Sequence, residues 1–122
     1  MNLALWIVAV LTALTFAAAG TRKLTQPKDK LKQQMGWVED FTPATIRFIG
    51  AMEVLGALGL ILPAVTGIAT VLVPLAATGL AIVMILASAV HLRRGEAKVL
   101  PVNIVLFLLA AFVAVGRFVF PL

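Results

Sequence analysis

The chain has no cysteine and only one histidine, His91, among its 122 residues. Without thiols it cannot by itself exchange disulfides, ligate an iron-sulfur cluster, build a thiolate zinc site or attach haem covalently. A single imidazole also excludes bis-histidine haem ligation within one chain. Acidic residues are scarce too, five against ten Lys and Arg, which gives a net charge of +5. Four of them fall in polar segments, and only Glu53 interrupts an apolar run, RFIGAMEVLGALGLILP. Glu53 and one histidine are too few inward ligands for zinc or iron, so no metal site is expected.

What is present is apolar: 62% of the residues are hydrophobic, 12% are charged and the mean hydropathy is +1.11. That composition does not suit a soluble domain and indicates an integral membrane protein. Four charge-poor runs, about residues 2–20, 44–63, 66–90 and 99–122, each approach the roughly 20 residues a helix needs to cross the hydrocarbon core. A membrane β-barrel would alternate apolar and polar residues, whereas these runs are apolar all round. An all-α, multi-pass bundle of four transmembrane helices in one domain is therefore expected, in the cell membrane. The first run ends in Phe16-Ala17-Ala18-Ala19-Gly20, which is similar to a signal-peptide cleavage region. It has no basic start, and Arg22 and Lys23 follow it directly, so it reads as a permanent helix.

Basic residues fix the expected orientation. Arg22, Lys23, Lys28, Lys30, Lys32 and Arg47 cluster between and beside the first two runs, and Arg93, Arg94 and Lys98 between the last two. The positive-inside rule puts both loops in the cytoplasm and both termini outside. The charge then suits an anionic inner leaflet and not nucleic acid. Residues 21–42 are expected to form a cytoplasmic interfacial segment with a short helix opened by Pro27 and stopped by Gly36. Lys28, Lys30 and Lys32 would face lipid phosphate there, with Trp37 and Phe41 at headgroup level. Thr42-Pro43 reads as the N-cap and first residue of the second span.

Pro63 to Gly67 reads as a tight, uncharged turn between the second and third spans, and Pro74 as a residue that can kink the third. Ala9, Ala13 and Ala17, then Ala77 and Ala81, have the spacing that lets membrane helices approach closely. Gly50, Glu53 and Ala57 share one face. In the last run Asn103, Phe107, Ala110, Ala114 and Arg117 recur with 4-3 spacing and are expected to look inward.

A carboxylate inside a membrane helix costs a few kcal/mol and so calls for a partner, about 2.5–3.5 kcal/mol on insertion scales. Arg47 lies too far round its own helix. With Glu53 near mid-membrane, Arg117 from the outer side, His91 from the cytoplasmic side and Asn103 remain candidates for one buried polar or ligand-binding site.

Gly20-Thr-Arg-Lys23-Leu24, Glu53-Val-Leu-Gly56-Ala-Leu-Gly59-Leu-Ile-Leu-Pro63, Ala-Ser-Ala-Val-His91 and Gly116-Arg117 together make the chain resemble the DoxX-like membrane proteins over nearly its whole length. The resemblance implies a four-helix bundle with a core related to vitamin K epoxide reductase and the disulfide-forming quinone reductases. It also implies roles in quinone-linked thiosulfate oxidation, in membrane redox complexes and, in an animal branch, in assembly of neurotransmitter-gated channels. The missing cysteines depart from the redox-active cousins. No nucleophile or cofactor motif stands out, so the expected function is that of a non-enzymatic accessory, assembly or chaperone-type partner of another membrane protein, or a homo-oligomer. The alternative is a membrane subunit of a quinone-linked oxidoreductase, with quinone as cofactor held by Glu53, His91 and Arg117.

Overall fold

The computed structural model describes residues 1–33 and 35–122. Four long helices are apolar and long enough to cross a membrane. They are α1 (Asn2–Thr25), α3 (Pro43–Thr66), α4 (Leu72–Arg93) and α5 (Leu100–Val119). Between α1 and α3 lie the short α2 (Lys28–Lys32) and a 3-10 turn at Gly36–Asp40, and a second 3-10 turn at Ala97–Val99 leads into α5. The long helices contact one another in the ring α1, α3, α4, α5 and back to α1, as in an antiparallel four-helix bundle.

The inward stripes follow the spacing of a coiled-coil seam. On α3 the buried positions are Ile46, Gly50, Glu53, Ala57, Leu60 and Pro63, and on α1 they include Leu5, Ala9, Thr12, Phe16, Gly20 and Lys23. Steps of three and four keep one face toward the neighbours in a bundle of nearly parallel axes. The outward faces are just as apolar: Leu14, Leu55, Leu86 and Leu108 are exposed. A soluble bundle would carry polar residues there, so the environment of these faces is lipid. Small residues set the close packing, with Ala9, Ala13, Ala57, Ala77, Ala81, Ala110 and Ala114 in one core with Phe16, Leu60, Leu80 and Met84. A second, smaller core of Leu31, Val38 and Ile46 fastens the segment between α1 and α3 onto the first turns of α3, with Met35, Trp37 and Phe41 around it.

Helix ends depart from the sequence expectation in several places: α2 ends at Lys32, short of the expected stop at Gly36, which instead opens the 3-10 turn, and α5 ends at Val119, short of residue 122. α1 runs to Thr25 and keeps Arg22 and Lys23 helical, where the apolar run suggested an end near residue 20. Hydropathy marks where charge begins, whereas a helix continues while its backbone bonds are made, and cations in the last turn favour it. α3 continues through Pro63 and stops at Gly67, which adopts φ +72° and donates its N–H to the Pro63 carbonyl. Left-handed backbone suits glycine as a helix stop. Ala69 is also left-handed, at φ +51°, so α4 starts only at Leu72 and not near residue 66. Pro74 consequently sits in the first turn of α4, where its missing N–H leaves nothing unpaired, and not in the interior where it would kink the helix. Thr42 caps α3 as expected, its hydroxyl accepting from the Thr45 N–H at 3.2 Å with Pro43 as first residue.

Candidate functional site

Glu53 is 2% exposed, and its partner is Lys23, 8% exposed. The Lys23 ammonium donates to Glu53 Oε1 at 2.5 Å. The two residues meet because of what stands one turn before each. In α1 Gly20 precedes Lys23 by three positions, and in α3 Gly50 precedes Glu53 by three. The antiparallel register places Gly20 against Glu53 and Lys23 against Gly50. A Cβ added to Gly20 would lie 2.6 Å from the Gly50 carbonyl oxygen and 3.1 Å from Glu53 Cβ. One added to Gly50 would lie 2.7 Å from the Gly20 carbonyl oxygen and 2.8 Å from Lys23 Cβ. Helical side chains lean toward their own N-terminus. In two antiparallel helices with this register, Lys23 leans down to the level of Glu53 and Glu53 up to the level of Lys23. Two glycines bring the backbones together, and helix geometry closes the ion pair.

Glu53 stays near the middle of its own helix. On α3 Glu53 is ten residues from Pro43, about 15 Å, and thirteen from Thr66, about 20 Å. Glu53 therefore lies only a little nearer to the end that bears the two basic loops, and Lys23 reaches it from the last turns of α1.

Trp37 covers the pair from the loop side, with the Lys23 ammonium 5.5 Å from the centre of its ring. Trp37 in turn meets Phe41 edge to face at 5.5 Å. A cation over an indole face is attracted by the ring quadrupole, more strongly away from water. Both aromatics thus pack onto the loop-side core as well as fringing it, while Lys30 and Lys32 are exposed and Lys28 half-buried. Beside Lys23 there is a niche of about 10 Å³, bordered by Gln26, Lys28, Leu31 and Arg47. That is near the lower limit for one water, roughly 10–15 Å³.

A second set of charges fastens the same segment to the loop between α4 and α5. Arg94 donates to Asp40 Oδ2 at 2.7 Å and to Glu96 Oε1 at 3.2 Å, and His91 Nδ1 lies 3.0 Å from the same Glu96 oxygen. Glu96 is held below the ordinary carboxylate range, first by the His91 hydrogen bond and then by Arg94. Arg94 is held above its ordinary value, chiefly by the Asp40 hydrogen bond. This cluster bridges the Gly36–Asp40 turn to the end of α4.

Glu53, His91, Asn103 and Arg117, expected to share one site, do not. His91 belongs to the charge cluster with Glu96. Arg117 is 5% exposed and lies at the opposite end of the bundle, beside Thr70, Val71 and Pro74. Pro74 and His91 are seventeen residues apart on α4, about 25 Å along its axis. Among the described residues Arg117 makes one hydrogen bond, from Nη1 to the Phe120 carbonyl at 3.4 Å. Asn103 is inward and 8% exposed, and its amide nitrogen has no partner among the described residues.

Lys23 escaped the sequence reading because it was assigned to a loop. The signal that would have found it is the pair of matching spacings, Gly-x-x-Lys at the end of α1 and Gly-x-x-Glu in α3. No group of three or more His, Asp or Glu able to hold a metal occurs among the described residues. A family model described as the DoxX-like family matches residues 7–113. No curated protein and no solved structure matches the chain.

Proposed function

The chain belongs to the DoxX-like family of membrane proteins, and from that premise we propose that it is a non-enzymatic accessory subunit that assists or joins another membrane protein. The observation that carries this reading is the Lys23–Glu53 pair. The intramembrane acid is neutralised by the chain's own lysine, and the niche beside that lysine has only about 10 Å³, so the pair's role is to hold α1 against α3. What is left to offer other molecules is the outer surface of the helices. Gly79 on α4 is exposed, and nothing stands where its Cβ would be. A small residue on a lipid-facing surface lets a partner helix approach closely.

The cell membrane is the site of action, with both basic loops in the cytoplasm and both termini outside. Since the chain has no cysteine, single cysteines placed at Lys30 and at Thr66 report this directly. An impermeant maleimide applied to intact cells should label only the second, and labelling of the first alone would reverse the orientation. The functional reading is tested by affinity purification in mild detergent. A reproducible membrane-protein partner is expected, released by Gly79→Leu without loss of helical content. The reading fails if the protein runs alone and its deletion leaves every membrane complex intact.

The quinone-linked alternative loses its geometric basis, because the three groups assigned to one headgroup lie at three separate places. Titration of added quinone against the purified protein checks this, and the expected result is no saturable binding that depends on Glu53.

A further inference from the structure

Arg117 is a cation buried inside a membrane bundle with no acidic group at ion-pair distance among the described residues. A guanidinium has five N–H donors and stays charged, and this one makes a single long bond to a carbonyl of its own helix end. The negative end of the α5 dipole favours a cation there, worth about 0.3–1 kcal/mol, which is small beside the several kcal/mol that burying an ion costs. Arg117 also borders an open niche of about 160 Å³, on the order of ten times the space one water needs. The other walls are Val71, Pro74, Phe118, Pro121 and Leu122, with the Thr70 side chain as the second polar group. The niche thus combines a planar cation that has one long bond to protein, a threonine and apolar walls. Arg117 is two residues from the end of α5, about 3 Å, which is headgroup depth for a spanning helix.

We propose that this niche is a binding site for the phosphodiester headgroup of an anionic phospholipid. The guanidinium fork takes two phosphate oxygens, the Thr70 hydroxyl donates to a third, and the apolar walls receive the glycerol and the first acyl carbons. A charge-assisted, bidentate contact supplies the countercharge that the protein itself withholds. This site goes beyond the accessory role and does not depend on it, since it lies at the end of the bundle remote from Lys23 and Glu53.

The test is native mass spectrometry of the full chain in detergent, titrated separately with phosphatidylglycerol, phosphatidylcholine, a free fatty acid and inorganic phosphate. Phosphatidylglycerol is expected to bind as a single retained adduct. Arg117→Gln should weaken it roughly 10- to 150-fold, the range for losing hydrogen bonds to a charged group. Arg117→Lys should fall between the two, because an ammonium lacks the fork. If Arg117→Gln does not fold, Thr70→Trp provides the second variant: it fills the niche, leaves the cation in place and should abolish the adduct. Equal binding of phosphatidylglycerol by wild type and Arg117→Gln, or by wild type and Thr70→Trp, overturns the proposal. Tighter binding of fatty acid or inorganic phosphate than of phosphatidylglycerol overturns it in favour of a different anion.

Discussion

At the end of the bundle that bears the basic loops, buried and half-buried charges meet opposite ones: Lys23 with Glu53, Arg94 with Asp40 and Glu96, and His91 with Glu96. At the other end Arg117 meets no acidic side chain among the described residues and borders an open niche. Both ends bury a cation on the bundle-facing stripe of a membrane helix, and they differ in what answers it. Where the chain supplies the counterion, the cation fastens helices and little space remains around it. Where it does not, the space stays open. A buried charge therefore does not by its mere presence mark a binding site, and its partner decides which role it takes.

The largest effect expected to break this contrast is removal of one half of the closed pair. Glu53→Leu leaves the Lys23 ammonium buried and unpaired and should destabilise the protein by about 3–5 kcal/mol, while the double replacement Lys23→Met with Glu53→Leu should recover most of the loss. Thermal or denaturant unfolding in detergent measures both. If the single and double variants are equally unstable, the charges do not act as a pair.

A smaller loss, about 1–3 kcal/mol, is expected for Gly50→Ala, because the new methyl meets the Gly20 carbonyl, which cannot move without moving α1. The same substitution at Gly79, where nothing stands opposite, should be nearly silent, and a comparable loss at both positions would remove the close crossing from the account.

The smallest effect concerns the outer charge cluster. The folded Glu96 carboxyl is held below its ordinary value of 4.5, so its contribution is complete above that value and is lost as pH falls through the lowered one. Hydrogen-exchange protection across residues 26–42, taken relative to the intrinsic rate at each pH, should therefore fall on acidification below about that ordinary value. Glu96→Gln should show the lower protection already at neutral pH and lose the pH step. An unchanged step in Glu96→Gln would place the titration elsewhere.

The four spans were legible from hydropathy alone, since a run of some twenty apolar residues has few other solutions in a membrane. So was the inward face of α5, where Asn103, Phe107, Ala110, Ala114 and Arg117 recur at seam spacing, Phe107 half-buried and the other four buried. The expensive residue was legible too, since Glu53 is the one acid in an apolar run. Its partner was not. Composition assigns Arg22 and Lys23 to the loop, and only the continuation of α1 to Thr25 turns Lys23 onto the inward stripe. His91 and Arg117 were named for the right reason, a polar group on or near a membrane helix. They were grouped for the wrong one, because proximity across a bundle depends on register and depth, and neither is written locally.

The sequence by itself determined the environment and the number of crossings, because burial of apolar surface in lipid depends on residue type and run length. It also determined that one acid would need an answer. Tertiary structure decided which cation answers it, through the crossing of Gly20 and Gly50, which sets the antiparallel register of α1 and α3. It likewise decided that Arg117 meets no acidic side chain among the described residues, because Glu53 sits near the middle of α3, about 20 Å from the end of that helix.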